Sequence, residues 1–233
     1  MSLSFLRHAA LALVAASAPL FAADAADVKV LFDGKTLDGW EGAEGLWRVE
    51  DGAITGESTA AAPLKGNTFL IWRKGTVADF EIEFQYRILS DSANSGLQYR
   101  SKDHGNFVVG GYQADIEAGK SYTGINYGEK TNRGILAERG QRVRYVDGQD
   151  KKIEQFAPGA DLQKAIKGKG EWNSYKVVAK GATLTHTING TLMSETIDES
   201  EKDAVKEGIL ALQLHQGPPM KIQFKDIKLT TLK

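Results

Sequence analysis

The 233-residue chain contains no cysteine. Disulfides, thiolate metal sites and a bacterial lipid anchor, which needs a cysteine at its cleavage site, are therefore excluded, and the core alone must hold the fold. No sign of charge is in surplus: 29 Lys and Arg against 30 Asp and Glu leave a net charge of −1. The basic residues are scattered among acids, so the electrostatic footprint of a nucleic-acid binder is missing. Internal repeats and low-complexity linkers are absent as well. Helical signals are scarce, with two short candidates at Ala160 to Ile166 and Glu199 to Val205. The longest apolar stretch, Ala9 to Phe21, is too short and too Ala-rich to span a bilayer. Arg7 and His8 precede it and Ala23-Asp24-Ala25 follows it, the order of a secretory signal peptide. Residues 1–25 are expected to be removed near Ala26. The mature protein, residues 26–233, is then expected as one domain, periplasmic or secreted, with no membrane attachment after cleavage.

Short strands bounded by Gly, Asp and Asn fill the remainder. Asp79 to Leu89 alternates cleanly, with Phe80, Ile82, Phe84, Tyr86 and Ile88 on one face. Trp172 to Ala179 leads through Lys180-Gly181 into Ala182 to Ile188, and Asn189-Gly190 makes a second tight turn into Thr191 to Thr196. The closing segment, Met220 to Leu232, carries Ile222, Phe224, Ile227 and Leu229. About a dozen strands with almost no helix predict an all-β sandwich or jelly roll. The segment from Thr131 to Gln155, rich in Gly and charge, is expected as an insertion that rims a site.

Three strands are apolar on one face and chemically equipped on the other. In Gly110 to Glu117, Tyr112, Ala114 and Ile116 oppose Gln113, Asp115 and Glu117. Asn94 to Arg100 aligns Gly96, Gln98 and Arg100, and Ile209 to His215 sets Gln213 and His215 opposite Leu210, Leu212 and Leu214. Such faces either meet bulk water or line a cleft for a small, hydroxyl-rich ligand. Asp115 and Glu117, roughly 6.5–7 Å apart at Cα, can raise one another's proton affinity or share a cation. With His215 they form a candidate ligand set for a divalent metal: calcium, manganese or zinc. Gln98, Gln113 and Gln213 are neutral donor–acceptors suited to sugar hydroxyls. Arg100 is either a fork of donors for substrate or an inter-strand ion-pair partner. His215, ahead of Gln216-Gly-Pro-Pro219, is either a site residue or a turn cap. His104 and His186 are expected on exposed surfaces, and Trp40, Trp47 and Trp172 in the core.

The motifs also form an ordered set. Leu31-Phe-Asp-Gly-Lys-Thr-Leu-Asp-Gly-Trp40, Trp47-Arg-Val-Glu-Asp-Gly52, Asn94-Ser-Gly96 with Tyr99-Arg100, Gly111-Tyr-Gln113, Thr123-Gly124, Gly170-Glu-Trp-Asn173, Ile188-Asn-Gly190 and Phe224-Lys-Asp-Ile227 run from about residue 30 to the C-terminus. In this order they resemble the 3-keto-disaccharide hydrolase domain family. The resemblance implies a concanavalin-like β-sandwich (jelly roll) of two curved antiparallel sheets, and action on sugars oxidised at C3 in exported bacterial proteins. It also implies a polar loop over the pocket, which makes Glu129 and Arg133 further substrate-binding candidates.

A ketone at C3 acidifies the hydrogen on C2 and leaves the C1–O bond β to the resulting carbanion. Cleavage then needs a base, a stabiliser for the enolate oxygen and an acid for the leaving group, without the flanking carboxylate pair of ordinary glycosidases. Glu117, Asp115 and His215 are the expected catalytic residues, with Glu117 as the leading base. A non-catalytic carbohydrate-binding module on the same sandwich is the alternative. An endo-glucanase would need a third acid where Lys120 stands.

Overall fold

The computed structural model describes residues 27–233, so the expected signal peptide lies outside the described residues. Seventeen strands follow in chain order: β1 (Val28–Val30), β2 (Trp40–Glu41), β3 (Trp47–Glu50), β4 (Ala53–Glu57), β5 (Thr68–Trp72), β6 (Phe80–Ile88), β7 (Asn94–Asp103), β8 (Val109–Glu117), β9 (Asn126–Glu129), β10 (Gly134–Ala137), β11 (Gln141–Tyr145), β12 (Lys152–Gln155), β13 (Asn173–Lys180), β14 (Thr183–Ile188), β15 (Thr191–Asp198), β16 (Ile209–Leu214) and β17 (Lys221–Thr231). One helical turn, α1 (Gly159–Leu162), continues as a 3-10 turn to Ala165, where the sequence predicts a helix. The second helical candidate is not helical; Ser200 instead closes a turn by accepting the Asp203 amide on its hydroxyl.

The strands form two sheets. One has ten strands, in the order β12-β11-β15-β14-β13-β6-β17-β4-β3 with β1 paired to β17. The other has seven, in the order β10-β9-β8-β7-β16-β5-β2. Their pairings are antiparallel except β11 with β15, which is parallel. The Thr131 to Gln155 segment is therefore no irregular insertion. It supplies β10 to one sheet and β11 and β12 to the other, because Val143 and its neighbours pair with β15 rather than standing free.

The apolar faces of the two sheets meet. From the larger sheet come Phe80, Ile82, Phe84, Tyr86, Tyr175 and Val177; from the smaller come Leu97, Tyr99, Tyr112, Ile116, Leu210 and Leu212. The rings of Phe84 and Tyr175 stack at 5.4 Å, and those of Tyr99 and Tyr112 at 5.6 Å; such pairs add about 0.5–1.5 kcal/mol beyond the area they bury. In β17 the spacing Phe224, Ile227 skips the two-residue period. A bulge with Asp226 at φ 53° absorbs the extra residue and returns Ile227 to the core.

Two expectations about burial are corrected. His186 is fully buried, because it shares the inward face of β14 with Leu184 and Ile188. It accepts the Tyr99 hydroxyl on Nε2 (2.9 Å) and donates from Nδ1 to the Ile125 carbonyl (3.1 Å). Burial pushes its pKa down to about 3, against the opposing pull of that carbonyl, so it is a neutral core imidazole. Trp172 is not core. It lies half-buried with Arg87 and Lys225 over its ring at 4.7 and 4.3 Å.

Candidate active site

The outer face of the seven-stranded sheet carries a cleft of about 450 Å³. The ladder explains its composition. Gln98 pairs with Gln113 and with Ala211, and Gly96 pairs with Asp115, so the outward residues of β7, β8 and β16 fall side by side. Gly96 is required at its place. A Cβ there would come within 2.7 Å of Gln113 Cγ and 2.8 Å of the Ala114 carbonyl, displacing the cleft floor.

The floor is a chain of amides. Ser101 Oγ donates to Gln98 Oε1 (2.8 Å), and Gln98 Nε2 donates to Gln113 Oε1 (2.5 Å). Gln113 Nε2 points on to Gln213 Oε1 (3.4 Å), and Gln213 Nε2 to Glu129 Oε2 (3.4 Å). Asn67 Nδ2 reaches the same carboxylate at 3.3 and 3.4 Å. Every link runs toward Glu129. Gln98, Gln113 and Gln213 are buried, so this order is maintained away from bulk water.

Two carboxyls in the cleft hold protons more tightly than usual. Burial pushes Asp115 up to about 8, with the charges of Glu117 and Glu129 adding and the Ile116 amide opposing. Glu129 is raised by burial, with Asn67, His215 and Lys130 pulling it down. His215 stands at the edge, and its Nδ1 donates to the Gln216 carbonyl (2.5 Å). That bond keeps a proton on Nδ1.

Asp115, Gln113, Gln213, Glu129 and His215 thus line one cleft, and Gln98 lies beneath its floor. Three other candidates do not join them. Arg100 lies at a bulge between Tyr99 and Lys102, with φ 44°. The bulge skips the alternation, and Ser101 rather than Arg100 follows Gln98 on the cleft side. The Arg100 guanidinium instead donates to Asp79 (2.8 Å) and to the carbonyls of Ala78 and Gly181. Arg133 is held by Asp198 (2.8 Å) and the Asp203 carbonyl, because Asp198, buried with Tyr112, supplies its counter-charge. Glu117 lines a shallower depression beside the cleft, with Asn94 and His215. Its carboxylate accepts the backbone amides of Ser121 (2.5 Å) and Tyr122 (2.7 Å).

Glu117 therefore holds the loop from Ala118 to Gly124, and Arg139 holds the same loop from the other side. Arg139 donates to the carbonyls of Ser121 (3.2 Å), Thr123 (2.8 Å) and Lys120. Glu117→Gln keeps an acceptor for both amides, so turnover of a substrate should fall less than tenfold. Glu117→Ala leaves two amides unpaired and should lower stability by about 1–3 kcal/mol. Steady-state kinetics and urea titration of the two variants check this; loss of activity in Glu117→Gln with unchanged stability would return Glu117 to the chemistry.

The expected metal set, Asp115, Glu117 and His215, is not assembled. Among the described residues no three His, Asp or Glu side chains form a group able to hold an ion, and Glu117 is turned to its loop. Seven cleft residues were not foreseen: Asn67, Asn94, Tyr122, Ile125, Tyr127, Ile135 and Gln216. Tyr127 was within reach, because alternation in Ile125 to Glu129 puts it on the face of Glu129.

The fold and the cleft define a two-sheet jelly roll whose outer sheet face is lined by amides, carboxyls and one imidazole. The chain itself belongs to the 3-keto-alpha-glucoside-1,2-lyase-like domain family, whose model matches residues 27–230. Among solved structures it is similar to a Parabacteroides distasonis protein provisionally assigned as a glycosyl hydrolase, at 20% identity and TM-score 0.57, over 88% of this chain and 94% of that one. It is also similar to the carbohydrate-binding module CBM66 from Bacillus subtilis, at 16% identity and TM-score 0.54, over 82% and 94%. A Bacillus subtilis protein with a galectin-like fold gives 10% identity and TM-score 0.55, over 83% and 90%. At these identities the likeness is one of fold. No curated protein matches the chain.

Proposed function

We propose that the protein cleaves 3-keto-glucosides by elimination across C1 and C2. The observation that carries this reading is the pair of desolvated carboxyls, Asp115 and Glu129, in one amide-lined cleft. Environments that hold two such groups at different proton affinities suit one to the acid role and the other to the base role. Glu129, whose proton affinity burial raises against the pull of Asn67 and His215, takes the C2 proton. The electron pair moves through the C2–C3 bond to the ketone oxygen, and the amide donors of Asn94, Gln113 and Gln213 stabilise the enolate. The enolate collapses, the C1–O bond breaks, and Asp115, protonated at neutral pH, gives its proton to the departing oxygen. The products are a C1–C2 enone and the free aglycone alcohol; addition of water to C1 would give the 3-keto sugar.

The test compares a 3-keto-glucoside with its unoxidised parent, following enone absorbance and released aglycone. The expected result is turnover of the ketone alone. Binding of both sugars with turnover of neither would replace this reading by that of a binding module.

We further propose that the protein acts after export. The order of Arg7-His8, the apolar stretch Ala9 to Phe21 and Ala23-Asp-Ala25 supports this reading. Mass spectrometry of the cell-envelope fraction should find an N-terminus near Ala26, and retention of Met1 would contradict export by cleavage.

A further inference from the structure

A second cavity, of about 660 Å³, adjoins the cleft. Tyr122, Ile125 and Ile135 line both. Past them the second cavity is walled by Gly159 and Ala160 of α1. Tyr122 exposes 44% of its surface, and Ile135 is half-buried without packing into either hydrophobic cluster of the described residues. An aromatic ring and a branched aliphatic chain on the wall between two cavities form an apolar surface that the fold itself leaves uncovered. The wall is also held in place, since the Tyr122 amide is bonded to Glu117 and the flanking carbonyls to Arg139.

Two cations that line this cavity are engaged within the protein. Arg139 spends its donors on the carbonyls of Lys120, Ser121, Thr123 and Gly159. Lys164 is paired with Asp161 at 2.7 Å. Gln163, whose buried Oε1 has no partner, and Glu138 remain as polar points on the lining, while a flat apolar group finds Tyr122 and Ile135. The position of the acid agrees. Asp115 donates its backbone N–H to the Ile125 carbonyl (3.3 Å) and accepts that of Gly124 (3.0 Å), which sets it beside the shared wall. Glu129 is tied to Asn67 and Gln213, away from that wall.

We propose that the second cavity is the leaving-group subsite and that it selects an aryl aglycone, laid against Tyr122 and Ile135. This rests on the reading of the cleft as an elimination site, with Asp115 protonating the aglycone oxygen at the mouth of the second cavity. Tyr122 is then a specificity-determining residue that takes no part in bond making.

Two measurements separate the parts of this proposal. The first is the ratio of kcat/KM for phenyl over methyl 3-keto-glucoside of one anomeric configuration, with a 3-keto-disaccharide as third substrate. Wild type should prefer phenyl to both. Tyr122→Ala should lower the phenyl-to-methyl ratio about three- to tenfold, and Tyr122→Phe, which keeps the ring, should restore it. The second is calorimetric binding of unoxidised phenyl glucoside against methyl glucoside, which involves no chemistry. Phenyl should bind more tightly, and Tyr122→Ala should erase the difference. If no 3-keto substrate turns over but phenyl binding still depends on Tyr122, elimination fails and the aryl cavity stands. If 3-keto substrates turn over with no phenyl preference, with preference for the disaccharide, or with a ratio indifferent to Tyr122, the aryl subsite is overturned while elimination stands.

Discussion

Replacing Glu129 with glutamine should reduce turnover of a 3-keto-glucoside by about 10²–10⁴-fold. Gln keeps the length and the acceptor that meets Asn67 and Gln213, so the amide chain of the floor can persist. What disappears is the charge that accepts the C2 proton. The deficit should lie in kcat, with KM little moved, because base catalysis acts in the transition state. A solvent-exchange measurement sharpens the result. Wild type should exchange the C2 hydrogen of a 3-keto-glucoside whose leaving group departs slowly, and Glu129→Gln should not. Exchange that survives in Glu129→Gln would assign proton abstraction to another group, with His215 next in position.

The second large effect concerns Asp115, in stability as well as activity. Its folded-state pKa of about 8 lies above the ordinary value of 3.8. Between those values the folded protein keeps a proton that the unfolded chain has released. Stability from this group is therefore full below about pH 4 and is lost as pH rises toward 8, by up to about 1.4 kcal/mol per pH unit. His186 works in the opposite sense, since its folded value near 3 lies below 6.5 and its neutral burial favours the fold as pH rises to 6.5. The two oppose one another below pH 6.5, and above it only Asp115 continues to act. Asp115→Asn should therefore flatten the decline of unfolding free energy between pH 6.5 and 8, and be more stable than wild type at pH 8.5. It should also lose most turnover of substrates with a poor leaving group, since no proton can be given. Wild-type activity should fall as pH rises through about 8. Urea titrations at the two pH values and a pH–rate profile check this. A parallel pH dependence of stability in variant and wild type would refute the raised proton affinity.

Much of the architecture was readable in the chain, because β6, β13 and β14 bury alternate residues and alternation survives in the sequence. The cleft floor was readable for the same reason, with Gln98, Gln113, Asp115 and Gln213 standing at the right parity. Arg100 was not, since one left-handed residue at a bulge reverses the side on which the chain continues, and Arg suggests no such conformation. Glu117 has the right parity but ends its strand, so the returning loop offers amides that compete for it. His186 was misplaced despite a usable signal: its parity matches Leu184 and Ile188, and the flanking threonines concealed it. Tyr122 and Asn67 come from turns, where no periodicity operates.

The parallel pairing of β11 with β15 has a consequence for the order of assembly. β13, β14 and β15 follow one another through tight turns and can zip locally, whereas β11 is made earlier and must wait for a partner about fifty residues downstream. Closing that span carries an entropic cost that local hairpins avoid. Arg139 and Gly140 lead directly into β11, and the Gly140 amide is bonded to the Met193 carbonyl on β15. The guanidinium that organises the Tyr122 loop thus reaches its place only when this late seam closes. Amide protection should accordingly be acquired by β13–β15 first and by Val143 and the 118–124 loop afterwards, leaving a nascent chain with a formed sandwich and an unfinished wall between its two cavities.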